Sequence, residues 1–255
     1  MARLCARRLG VSFLALGFCA VLSSQGGAQV THEPRSKSDK LADPELRTGS
    51  RIPVKPEAIS PAQAAVLAKS FAKCIYRTSQ AKATALLINS DLGSVNLAGA
   101  RIRDLDLDLN MSRCLDDEVT SDLQARTARF PMVVLRDLVA EEAYLAANPV
   151  AARLATPPAA IRPRFVSTGP ALAKAQMLHV FADCAIVESV SSADDLLRTE
   201  PGSVEERAAA RALAPALGAC LAEGQQIELT PRSIRSFVAY AMWFRFTGDQ
   251  RQPKP

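Results

Sequence analysis

Ser70 and Lys73 stand three residues apart, the spacing by which penicillin-recognising enzymes place a lysine one helical turn from their nucleophile. No Lys-Thr-Gly or Ser-Asp-Asn element follows at a suitable place, so the spacing alone does not make a nucleophile. Read from Asp106, residues Asp108, Asn110 and Asp117 fall at the ligand positions of a calcium loop. Met111 occupies the sixth position, where the sharp turn needs glycine. The run Asp104–Asn110 reads instead as leucines to be buried between solvated aspartates, and no metal or other cofactor is expected. Two histidines, His32 and His179, are too few for a zinc site or a catalytic triad. His179 is expected to lie off the buried stripe of its helix. Glu141-Glu142 and Glu205-Glu206 would suit the paired carboxylates of glycoside chemistry. Each reads more simply as a solvated helix face or a first-turn acid.

Arg136, Arg235 and Trp243 are the candidates for contact with a ligand or partner. The two arginines could hold an anion, or could tie their helices to backbone carbonyls or an acid, and the second reading is favoured. Trp243 belongs with Phe237, Tyr240, Phe244 and Phe246, whose spacing covers more than one helical face. Buried, they would fill a contact between helical units; exposed, they would mark a partner-binding surface.

The elements that must carry these residues occur twice. Phe71-Ala72-Lys73-Cys74 matches Phe181-Ala182-Asp183-Cys184, and Cys114-Leu115 matches Cys220-Leu221. Asp91-Leu92-Gly93-Ser94 answers Glu200-Pro201-Gly202-Ser203. The stretch from Leu135 to Ala140 answers Ile234 to Ala239, so that Arg136 pairs with Arg235 and Tyr144 falls opposite Trp243. The common order predicts a duplication.

Arg3, Arg7 and Arg8 precede an apolar stretch, Leu9 to Leu22, and then small residues up to Ala28, the order of a cleavable export signal. A lipid anchor at Cys19 is disfavoured because Phe18 precedes it. Cleavage after Ala28 would remove Cys5, Cys19 and the three arginines, lowering the formal charge from +5 to +2. That charge argues for neither nucleic acid nor an anionic membrane as partner. No later segment has transmembrane length without charges. The remaining cysteines, Cys74, Cys114, Cys184 and Cys220, read as disulfides. The duplication favours pairing within copies, Cys74 with Cys114 and Cys184 with Cys220, each closing a loop and stabilising the fold by about 4 kcal/mol.

The predicted organisation is a signal over 1–28, a polar tether over 29–58, a first helical repeat over 59–147 and a Pro-rich linker over 148–168. A second repeat over 169–247 and a tail over 248–255 complete it. Ser60-Pro61-Ala62-Gln63 is a capping box with proline at the first helical position, and Thr230-Pro231 and Ser203-Val204-Glu205-Glu206 also start helices. Gly93 is expected to turn the chain in a left-handed conformation, with Ser94 capping the next helix. The sum is an all-α protein of two similar disulfide-stapled repeats, about four helices each.

With its Phe-Ala-x-Cys and Cys-Leu landmarks, the chain resembles uncharacterised exported proteins of alphaproteobacteria over residues 60–246. The resemblance implies helical repeats and an exported location, and no activity. The expected function is a periplasmic or secreted, non-catalytic binding or accessory protein for an envelope protein or ligand. The alternative is a hydrolase with a carboxylate site between the repeats.

Overall fold

The first helix begins where its capping residues place it. The computed structural model describes residues 60–118, 131–155, 158, 160–221 and 229–248, apart from the side chains of 116–118. The expected signal with Cys5 and Cys19, the start at Gln29, the tether with His32, residues 249–255 of the tail and the Asp117 side chain lie outside them. Helix α1, Pro61–Thr78, starts under the reciprocal Ser60–Gln63 box and buries Phe71, Cys74 and Ile75 on one face. Helix α2, Gln80–Ile88, buries Ala83, Leu86 and Leu87. Its end is closed by the Asn89 side chain, which donates to the Ala85 carbonyl at 2.9 Å.

The turn after α2 is built by a carboxylate rather than by glycine freedom. Asp91 accepts the amides of Gly93 and Ser94, each at 2.8 Å. Among the described glycines only Gly169 and Gly202 have positive φ, so Gly93 is not left-handed as expected. Ser94 does not cap the next helix either. The one-turn α3, Leu105–Leu109, starts at Asp104, whose side chain accepts the amides of Asp106 and Leu107. Asn110, at φ 53°, ends it before α4, Met111–Glu118. The Asp-Leu run is thus helical, and its acids are engaged internally. Asp106 accepts from the Ser112 amide and hydroxyl, and Asp108 from the amides of Arg103 and Asp104 while pairing with Lys82.

Helix α5, Met132–Ala147, is followed by residues 148–168, whose described part is without helix. Then come α6, Pro170–Glu188, α7, Val190–Arg198, and α8, Val204–Ala219. Helix α9, Pro231–Trp243, runs into a π-helical turn, Phe244–Gly248, so Gly248 belongs to the helix end rather than to a tail. The fold is all-α, with no strand among the described residues beyond an isolated Ser90–Val95 bridge. Among the described residues, five helices fall between 61 and 147, because left-handed Asn110 splits α3 from α4, and four between 170 and 243.

The described residues share one continuous hydrophobic core, with α5 and α9 its most extensive pair. The Cys74 and Cys114 sulfurs lie at disulfide distance and tie α1 to α4, with Cα atoms 5.6 Å apart. Cys184 and Cys220 do the same between α6 and the end of α8, at 5.8 Å. No described helix is long and apolar enough to cross a membrane. His179 departs from its expected place off the stripe: it is 7% exposed, gripped edge-on by Phe165 and Phe244 at centroid distances of 5.9 and 5.2 Å. The sequence position matched to Lys69 did not reveal these rings, which arrive from the connector and the π-turn.

Trp243 is 1% exposed, packed beside Tyr240 and Phe244. Gly248 lies so close that a Cβ there would sit 3.0 Å from the indole. Trp243→Ala is expected to cost about 3–5 kcal/mol through lost burial and a residual cavity. Thermal or urea unfolding with both disulfides intact measures this, and an unchanged midpoint would contradict the core role.

Candidate functional site

Glu141 and Glu142 read from sequence as a solvated face, and the fold buries both, at 2% and 7% exposure. The correction comes from cations supplied by distant helices. Arg235 of α9 grips Glu141 with a two-pronged pair, Nε to Oε2 at 2.8 Å and Nη2 to Oε1 at 2.7 Å. Lys69 of α1 also donates to Glu141 Oε1. Lys69 Nζ lies 3.0 Å from Glu142 Oε1, near enough for an ion pair but off the hydrogen-bond direction, so that oxygen has no hydrogen-bond partner. Burial raises the Glu142 pKa above its ordinary value and the neighbouring Glu141 charge adds to this, outweighing Lys69.

Arg235 does more than hold Glu141. Its Nη1 donates to the Leu196 carbonyl at 3.0 Å and to Glu206 Oε1 at 3.2 Å, and its Nη2 to the carbonyls of Leu197 and Thr199 at 3.0 and 2.9 Å. A guanidinium has five N–H donors, and all five are used inside the protein. Glu206 in turn accepts the Gly202 amide at 2.7 Å, which closes the turn before α8. Arg136, 2% exposed, has a parallel setting in α5. It donates to the Asp91 carbonyl and, from Nε, to Asp137 Oδ1 at 2.7 Å, and it lies 4.7 Å from the centre of the Tyr240 ring. Arg136 therefore reaches the turn after α2, and Arg235 the last turn of α7 and the residue after it. Trp243, with Tyr240, lies in the core on the same helix as Arg235.

A cleft of about 300 Å³ opens among α1, α5, α8 and α9, at the small end of ligand-pocket sizes. Ala62, Ala65, Ala68, Val134, Leu138 and Ala239 give it an apolar wall. Asp137, Glu141, Glu206 and Arg235 supply its inner polar groups. Asp137 is raised by burial, which outweighs the Arg136 charge and a hydrogen bond from Ser236. Its oxygens are taken by Arg136 and Ser236, as those of Glu141 are by Arg235 and Lys69. Glu206, the third inner carboxylate, is likewise engaged, by Arg235 and the Gly202 amide.

Of the residues singled out from sequence, Arg235 lines the cleft, Arg136 lies behind its Asp137 wall, and Trp243 is in the core. Ser70 is half-buried on α1 and Lys73 is exposed. Lys69, Asp137, Arg207 and Arg232 were not singled out. For Arg207 and Arg232 a signal existed: both sit in the first turns of helices, where acids are the usual residues. No protein-family model, curated protein or solved structure matches the chain.

Arg235→Met strands Glu141 and Glu206 without their main counter-charge, and it is expected to cost about 3–5 kcal/mol in urea unfolding. Glu142 has a pH signature. Its folded pKa lies above the ordinary 4.5, so ionisation penalises the fold once pH rises past that value. The penalty is absent at pH 4 and grows as pH passes through the folded pKa. Glu142→Gln removes it, and the unfolding midpoint of this variant relative to the parent should therefore rise between pH 4 and pH 8. A difference constant across that range would contradict the direction of the shift.

Proposed function

We propose that the protein is an exported, non-catalytic binding protein, built by duplication of a disulfide-stapled helical unit and working through the cleft among α1, α5, α8 and α9. The observation that carries the binding reading is that the cleft combines an open apolar wall with carboxylates already engaged by protein partners. Such a surface can hold an apolar group and lacks a free acid–base pair.

Two features support the duplication. Arg136 and Arg235, which the repeat pattern pairs, donate respectively to the Asp91 carbonyl in the turn after α2 and to the Leu196 and Leu197 carbonyls in the last turn of α7, each in its own half. Asp137 and Ser236, the next residue in each copy, hydrogen-bond to one another. Matched positions meet in this way where two copies face each other about an approximate two-fold axis. The periplasmic or secreted location is supported by the signal-like start and by cysteine pairs suited to an oxidising compartment.

The hydrolase reading has one observation in its favour, the raised pKa of Asp137 beside the cleft. It is the weaker reading because Arg136 and Ser236 occupy that carboxylate.

The neutral dye N-phenyl-1-naphthylamine, which fluoresces in apolar surroundings, tests the binding reading. The parent should enhance its emission saturably, and Ala65→Trp, which fills the cleft, should abolish the enhancement while leaving helical content unchanged. Equal enhancement by parent and variant would place the dye elsewhere and remove the cleft from the function.

A further inference from the structure

The rim of the cleft carries charges of a different kind from its interior. Arg207, the fourth residue of α8, and Arg232, the second of α9, are both exposed and both line it. Among the described residues Arg207 spends one donor, Nη1, on the Gly202 carbonyl at 3.2 Å and has no other hydrogen-bond partner for its fork. No hydrogen bond or ion pair engages the Arg232 side chain among the described residues. The acids of the cleft do not neutralise these two. Asp137 faces Arg136, Glu141 faces Arg235 and Lys69, and Glu206 is shared by Arg235 and the Gly202 amide. Glu205, in the first turn of α8, does not line the cleft.

Position makes the arginines more telling. The first turn of a helix carries the positive end of its dipole, which opposes a cation. Stability alone would put acids there. Two exposed guanidiniums instead stand at the mouth of an apolar cavity, where they offer donors to a negative group.

We infer that the cleft takes a small amphiphile with an anionic head, the head held between Arg207 and Arg232 and the apolar body laid against Ala62, Ala65, Val134 and Leu138. This rests on the binding reading above and names its ligand class. A carboxylate and a phosphate head share this chemistry, and a guanidinium pairs with either.

A matched pair of dyes tests it. Anilinonaphthalene-8-sulfonate has the same aromatic body as N-phenyl-1-naphthylamine and adds one anionic group. The parent should bind the sulfonate at least tenfold more tightly than the neutral dye. Arg207→Gln with Arg232→Gln should bring the sulfonate down to the affinity of the neutral dye and leave the neutral dye unchanged, with an unaltered unfolding midpoint as control. Rising salt should weaken only the sulfonate. Displacement of the bound sulfonate by decanoate and by decyl phosphate then distinguishes the two heads, and the stronger competitor identifies the source. Equal affinity for the two dyes, or a sulfonate affinity indifferent to the double substitution, overturns the anionic head. Binding lost in Ala65→Trp would in that case leave the cleft standing as an apolar site. If Ala65→Trp changes neither dye, the binding reading itself fails.

Discussion

The two-pronged contact between Arg235 and Glu141 is the constraint on which the arrangement around the cleft depends. A planar guanidinium accepts partners only in its own plane and at fixed distances. By meeting Glu141 on α5, the carbonyls that end α7 and Glu206 on α8, it holds three elements to α9 at once. Lys69 adds α1 through the same Glu141 carboxylate. Buried ion pairs often add little net stability over apolar packing, because desolvation offsets attraction. What this network supplies is register. A slide of α9 along α5 by one residue would strand these almost wholly buried charges without their partners.

A second polar knot does the same work at the other end of the α5–α9 pair. Asp91 accepts the amides of Val166 and Ser167 at 2.8 and 2.7 Å and the Ser167 hydroxyl at 2.7 Å, so it fastens the connector to the first half. Burial would raise its pKa, but the Ser167, Gly93 and Val166 hydrogen bonds outweigh that and lower it. The carboxylate therefore stays charged to lower pH than an ordinary aspartate. Tyr240 of α9 donates to the Ser90 carbonyl beside it at 2.6 Å, and Tyr144 of α5 reaches Asp194 of α7 at 2.5 Å. Each long central helix thus sends a tyrosine into the other half. Separating the halves would break these hydrogen bonds and expose the apolar core they share to water, and so the Pro-rich connector does not make them independent.

Helix starts were legible in sequence because their determinants are local. Ser60 with Gln63 and Thr230 before Pro231 act over three residues, and the cap seen in the structure uses those same atoms. The cysteine partners were legible for another reason, since matched flanking residues argue for pairing within copies. Glu141 and Glu142 were misread because an acidic pair in an alanine-rich helix looks solvated until its counter-ions are known. Those come from Lys69 and Arg235, 72 and 94 residues away, and no local pattern announces them. Gly93 failed differently. Glycine is permitted in a left-handed turn but does not require one, and the neighbouring Asp91 solved the turn with hydrogen bonds. The cleft lay beyond sequence altogether, because its wall is assembled from four helices.

Why the cleft stays open follows from what stands on its sides. Gly202 abuts the start of α1, and a Cβ there would come within 2.8 Å of the Ala62 Cβ, so α1 can approach this turn no further. Beside it the Arg235 fork fixes α9 against α5, α7 and α8 at hydrogen-bonding distance. With neither side free to move inward, the alanines at 62, 65, 68 and 239 leave space that leucine or methionine would fill. Protein interiors are otherwise packed to the density of organic crystals. An apolar wall left to solvent gives up burial that a larger side chain would recover. The arginines at the rim give up a little more, since each opposes the dipole of its own helix. Two departures from what stability alone would select fall on one cleft, and that coincidence is what supports the binding reading proposed for it.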